Sequence, residues 1–156
     1  MVDKTTKMFR NGGWTVQLVG EYFHTLDAKN RLFIPAKHRE ILGESFMITR
    51  KIGDRCLAAY SSEQWEKLSE KLTQFPDSVV NKLKKFLYSK TISVTPDAQG
   101  RVMLSSALIE YAGIEKNVAI IGCGDHAQIW AEVAWHDDEE SLDTTEMQQL
   151  LIELGL

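Results

Sequence analysis

Arg31 closes the stretch DAKNR at residues 27–31, and Arg101 closes DAQGR at residues 97–101. A guanidinium presents five donors in a rigid fork, which suits phosphate oxygens or the O6/N7 edge of guanine. Lys29 adds a cation at the tip of the first stretch, and Gln99, its counterpart, carries an amide able to pair with adenine. Backbone geometry accounts for the other polar residues. Asp27 and Asp97 stand where a turn accepts bonds from N–H groups two or three residues on, and Asn30 and Gly100 are types that readily take φ > 0. No turn rule asks for arginine after the left-handed residue. Either a local Arg–Asp ion pair pins each loop, or two hairpins present two guanidinium groups to a nucleic acid, since a two-stranded ribbon fits the major groove.

Other chemistry is thinly supported. GCGDH at residues 122–126 gathers a thiol, a carboxylate and an imidazole, but at a strand-to-strand turn, and the matching stretch earlier in the chain reads KIGDR. His24, His38, His126 and His136 lack metal-binding spacing, and Cys56 and Cys123 form no CxxC pair. The sequence therefore predicts no enzyme, no metal, no cofactor and no small-molecule substrate. Without an apolar leader or a membrane-length run, it predicts a cytoplasmic protein with no membrane partner.

The elements that position the two arginines are themselves doubled. Asp27 and Asp97 lie 97 − 27 = 70 residues apart, and the same offset carries Thr25 onto Thr95, Leu32 onto Val102, Glu40 onto Glu110 and Gly43 onto Gly113. Farther on, Tyr60 meets Trp130 and Trp65 meets Trp135, with a small insertion and a compensating deletion between. Two copies without a longer array suggest a pseudo-twofold pair. Each copy reads as a β-hairpin around the polar turn, a short helix ending at Gly43 or Gly113, two apolar strands joined at a Gly-Asp dipeptide, and a helix bearing a tryptophan. The division is an extension at 1–17, a first repeat at 18–67, a helical connector at 68–87, a second repeat at 88–137 and an acidic helix at 138–156. Ser61 with Gln64 and Thr145 with Gln148 are the expected helix caps, and Met147, Leu150, Leu151 and Leu154 form an apolar stripe in the last helix.

Charge divides along the chain. All 18 Lys and Arg lie at or before Lys116, against 13 acids there, whereas residues 117–156 hold 9 acids and no base. This split fits a face that meets a polyanion and an end that does not. It equally fits a solvated acidic helix, a tail that contacts neighbouring subunits, or one that confines DNA to one face.

The doubled D-x-x-x-R, the phrase GEYFHTLDAKNRLFIPAKHREIL and the later LIEYAGIEKNVAIIGCGDHAQIWAEVAW resemble the MraZ family of bacterial transcriptional regulators over about Leu18 to Trp135. The resemblance implies an α+β fold of two tandem AbrB-like swapped-hairpin β-barrel repeats with short helices and a helical connector. It implies a nucleoid-associated, sequence-specific DNA binder that represses its own division and cell-wall gene cluster from direct repeats in the promoter. It also implies a ring-shaped homo-oligomer, often of eight subunits. Carried onto this chain, the DNA-facing residues are Lys29, Arg31 and Arg101, with Gln99 added by position. An antitoxin-like interaction module of the same fold is the alternative. Two departures from the family stand out: Ser105 replaces a proline kept in the first half as Pro35, pointing to a looser helix start, and residues 1–17 have no counterpart in the second copy. That segment reads as an added tail, an arm touching DNA through Lys4, Lys7 and Arg10, or a strand packing on a neighbour.

Overall fold

The computed structural model describes residues 17–156 in full and, before them, the backbone of strands β1 (Thr6–Met8) and β2 (Trp14–Val16). These two strands pair with each other; Lys4, Arg10 and the side chain of Lys7 lie outside the described residues. Next come β3 (Glu21–Thr25), β4 (Arg31–Phe33), helix α1 (Ala36–Leu42), β5 (Phe46–Arg50), β6 (Leu57–Ser61), α2 (Ser62–Thr73) and α3 (Asp77–Ser89). The second copy follows as β7 (Ile92–Val94), β8 (Arg101–Met103), α4 (Ser106–Ala112), β9 (Asn117–Gly122), β10 (Ala127–Ala131) and α5 (Glu132–Glu140), and α6 (Thr144–Leu154) ends the chain.

The turns form where expected, but the strands they join do not pair with each other. β3 joins the second copy's β9, β7 joins the first copy's β5, and β4 pairs antiparallel with β8. One antiparallel sheet thus runs β3-β9-β10-β6-β5-β7, and the two copies trade their leading strands across it. The order is the same from either end once each strand is replaced by its counterpart. Leu32 pairs with Val102 and Ala58 with Gln128, each residue facing its own equivalent seventy positions away, so a pseudo-twofold axis passes through both pairs. The strand β9 matches β5 two residues late (Val118 for Phe46), and the link 123–126 is two residues shorter than the link 51–56, which restores the offset.

Alternation along the strands sets the layers. Leu57, Ala59, Ala127, Ile129, Val118 and Ile120 face the main core, closed on its far side by Leu32, Val102, Leu42 and Leu108. On the sheet's other face, Ala119 and Trp130 pack with Trp135 of α5, and Leu72, Val80 and Leu87 form a satellite core under α2 and α3. Arg50 anchors α3 to β5, its guanidinium 3.9 Å from the Phe86 ring centroid and its Nη2 donating to the Phe86 carbonyl at 2.7 Å.

The caps divide by chemistry. Ser61 Oγ accepts from the Gln64 N–H at 3.2 Å, as expected. Ser105 Oγ accepts from the Leu108 N–H at 3.3 Å, whereas Pro35 offers α1 no side-chain cap, so the second helix start is the better capped one and the expectation of looseness is corrected. The last helix is capped two residues before the expected Thr145: Asp143 accepts from the Thr145 N–H at 2.9 Å, since Asp caps at least as well as Thr.

Candidate nucleic-acid interface

Each DxxxR turn is built the same way. Asp27 Oδ1 accepts from the Lys29 and Arg31 N–H groups, both at 2.9 Å, and the Asn30 N–H donates to the Asp27 carbonyl at 3.0 Å. Asp97 repeats the pattern with Gln99, Arg101 and Gly100, each bond at 2.9 Å. Asn30 has φ 59° and Gly100 φ 81°, the left-handed conformation expected at that position. The turns also lock across the copies, since the Ile34 N–H donates to the Gly100 carbonyl and the Leu104 N–H to the Asn30 carbonyl, both at 2.9 Å.

Backbone N–H donation, first of all from Arg31, holds the Asp27 carboxyl below its ordinary pKa; the Arg31 guanidinium and the Lys29 N–H act in the same direction. Asp97 is lowered likewise, first by the Arg101 N–H and then by that of Gln99. A carboxylate depressed on folding stabilises fully above its unfolded pKa and ceases to do so as pH falls through the folded value. Acidification from about pH 7 to about pH 5 should therefore leave both turns intact. Amide NMR signals of Lys29 and Gln99 should move together only below the ordinary value of 3.8; movement near neutrality would contradict this.

Because Leu32 and Val102 point into the core, Arg31, Phe33, Arg101 and Met103 occupy the opposite, outward face of the β4–β8 ribbon. Arg31 faces Met103 and Phe33 faces Arg101, so the arginines lie diagonally across the pseudo-axis, with Cα atoms on the order of 7 to 8 Å apart. The sequence left two readings of the arginines, and the ion pair is present: Arg31 Nε donates to Asp27 Oδ2 at 2.7 Å and Arg101 Nε to Asp97 Oδ2 at 3.1 Å. The pair does not use up the guanidinium. Among the described residues, the terminal nitrogens of Arg31 take part in no hydrogen bond, so Asp27 orients a fork whose outer edge is available for bidentate contact. Arg101 is more heavily held, with Nη2 donating to Gln99 Oε1 at 3.3 Å and Nη1 3.5 Å from Asp27 Oδ2. Lys29 and Gln99 are both exposed at the two tips.

One cation here escaped sequence reasoning. Arg39 on α1 donates Nε to the Ile34 carbonyl at 2.9 Å, and its guanidinium lies 5.4 Å from the Phe33 ring centroid. A Cβ on Gly100 would come within 2.7 Å of its Cζ. The seventy-residue offset gives Ile109 as its counterpart, so the repeat carried no signal for it. Gly100→Ala should cost roughly 1 to 2 kcal/mol from the left-handed backbone alone and displace Arg39, whereas Asn30→Gly should be nearly neutral. Denaturant midpoints of the two variants check the contrast.

The rival cluster at residues 122–126 is turn chemistry. The Cys123 N–H donates to the His126 carbonyl at 2.9 Å, and His126 Nδ1 pairs with Asp125 at 2.8 Å. Burial raises the Cys123 thiol and pushes the buried Cys56 to about 12, the reverse of an activated thiolate. Among the described residues, no group of three or more His, Cys, Asp or Glu could hold a metal ion, and no helix is long and apolar enough to cross a membrane.

Comparison with known proteins agrees with the doubled architecture. The family described as "MraZ protein, putative antitoxin-like" matches residues 18–82 and again 87–150. A protein of Dictyoglomus thermophilum named transcriptional regulator MraZ is 45% identical over 121 residues, covering 76% of this chain and 82% of that protein. Proteins of the same name from Acetivibrio thermocellus and Clostridium acetobutylicum are 38% and 39% identical over 141 residues, each covering 88% of this chain and 98% and 99% of theirs. With both copies matched and two of these relatives aligned over nearly their whole length, the chain belongs to the MraZ family.

Proposed function

We propose that this protein is a sequence-specific DNA-binding transcriptional regulator that inserts the β4–β8 ribbon into the major groove. Arg31 and Arg101 read base edges or phosphates, Lys29 and Arg39 add phosphate contacts, and Gln99 pairs with a base once released from Arg101. The observation that carries this reading is the ribbon's outward face, where two Asp-oriented guanidinium groups sit diagonally across a pseudo-twofold axis. The names of its relatives support regulation of transcription and argue against an enzyme. By family resemblance, the sites are direct repeats in the promoter of its own division and cell-wall gene cluster, the outcome is repression, the location is the nucleoid, and the working form is a ring-shaped homo-oligomer.

Fluorescence anisotropy against a duplex from the chain's own upstream region tests this. Affinity should exceed that for a scrambled duplex and should fall about 10³-fold or more between about 50 and 200 mM salt if six or more phosphates are neutralised. Equal binding to both duplexes would overturn the reading. An antitoxin-like interaction module is favoured by one observation, the exposed apolar stripe of α6, and predicts no DNA preference in that titration.

A further inference from the structure

The β4–β8 ribbon is pseudo-symmetric in its backbone and unlike at its two ends. The backbone bonds from Leu104 to Asn30 and from Ile34 to Gly100 fall one residue beyond the pairs Arg31–Met103 and Phe33–Arg101. These are therefore the non-hydrogen-bonded pairs of the ladder, whose facing side chains stand closest together. At one end Phe33 is enclosed, with the His24 ring edge-on at 5.0 Å and the Arg39 guanidinium at 5.4 Å. Arg101, which faces Phe33, is held by Gln99 and lies 3.5 Å from Asp27. The other end is open. Met103 is 60% exposed, and among the described residues the terminal nitrogens of Arg31, which faces it, enter no hydrogen bond. The seventy-residue offset shows why: the counterparts of His24 and Arg39 are Val94 and Ile109, shorter side chains that pack with the main core.

A thioether standing in water beside a guanidinium contributes little apolar burial to the fold. Its surroundings point to what it would meet in a groove. Base edges in the major groove present donors and acceptors to polar side chains, and the thymine C5-methyl is the feature there that an apolar side chain contacts. Methionine is unbranched and polarizable, so it adapts to such a small target. Facing residues on the two strands have Cβ atoms about 4.5 to 5.5 Å apart, close to the rise of about 3.4 Å between base pairs, which brings Arg31 and Met103 to neighbouring pairs.

We propose that Met103 is a specificity-determining residue, packing its thioether on the C5-methyl of a thymine in the base pair beside the one that Arg31 contacts. The inference rests on the DNA reading proposed above and gives the site a direction. Phe33, held under His24 and Arg39, offers no equivalent tip at the other end. A pseudo-twofold ribbon thus distinguishes the two orientations of one site.

Deoxyuridine replaces thymine with loss of the methyl group alone, so a duplex from the chain's own upstream region, with each thymine replaced in turn, tests this by anisotropy. The parent should lose about 4-fold in affinity at one thymine, the amount expected for one buried methyl. Met103→Ser should bind the unmodified duplex at least about 4-fold more weakly and be indifferent to deoxyuridine at that position. Met103→Leu should keep the parent's sensitivity. The same thymine should adjoin a base pair whose substitution weakens the parent but not Arg31→Ala. Melting curves of both Met103 variants should overlay the parent's, since the side chain is exposed. Sensitivity surviving in Met103→Ser, or no sensitive thymine in a parent that still prefers its own duplex to a scrambled one, would overturn the assignment of Met103 and leave the DNA reading standing. A parent without that preference would overturn both.

Discussion

Replacing Arg31 and Arg101 together by alanine should abolish sequence-selective DNA binding while leaving thermal unfolding nearly unchanged. Each bidentate contact to a base is worth about 1 to 3 kcal/mol of discrimination, so each single variant should lose about 5- to 150-fold in affinity for its own site. The two side chains reach one carboxylate, Asp27, at 2.7 and 3.5 Å, so their losses should couple instead of adding. Both Asp–Arg pairs are partly exposed and screened by solvent, which is why the melting temperature should move little. Arg31→Lys is the sharper variant, since it keeps the charge and removes the fork: it should retain nonspecific affinity and lose preference among sequences. Anisotropy on specific and scrambled duplexes, with a melt on the same samples, decides it. If the double variant kept its preference, the ribbon would not be the reading surface.

The second large effect is expected at the pseudo-axis, under the same ribbon. Leu32 is fully buried opposite Val102, where the two ribbon strands cross the pseudo-axis. Leu32→Ala should cost about 2 to 5 kcal/mol, which for a chain of this size lowers the melting temperature by about 4 to 20 °C. Because Arg31 is covalently next to it and Arg101 next to its partner, DNA affinity should fall as well, unlike for a cavity elsewhere in the core. Leu108→Ala, equally buried in α4, supplies the comparison: similar loss of stability with site affinity closer to the parent. Calorimetry and anisotropy on the two variants separate the effects.

What the sequence made legible was local. Asp, then Asn or Gly in the left-handed region, made both turns readable, and the two apolar strands expected around the second Gly-Asp dipeptide occur as NVAIIG and AQIWA. The seventy-residue offset carried the pseudo-symmetry, down to Leu32 facing Val102. Which strand pairs with which was not legible in the residues, because alternation fixes the face of a strand and leaves its neighbour open; GEYFHT fits β4 as well by pattern as it fits β9. Only the family resemblance supplied the exchange. Arg39 stayed hidden for a related reason. Its place beside Gly100 depends on α1 packing against the other copy's turn, which no spacing within α1 encodes.

The exchange of leading strands also bears on how the chain is made. β3 is among the first described strands to be synthesised, yet its partner β9 lies at Asn117–Gly122, and β5 must await β7 before its own edge is covered. With synthesis at roughly 5 to 20 residues per second, the first half waits several seconds with Tyr22 and Leu32 lacking their partners. The pairing is therefore of high contact order and expected to fold late and as one step. A nascent chain halted before residue 117 should be protease-sensitive throughout, and one extended past α5 should become resistant over both copies at once. The cell receives the two arginines together or not at all.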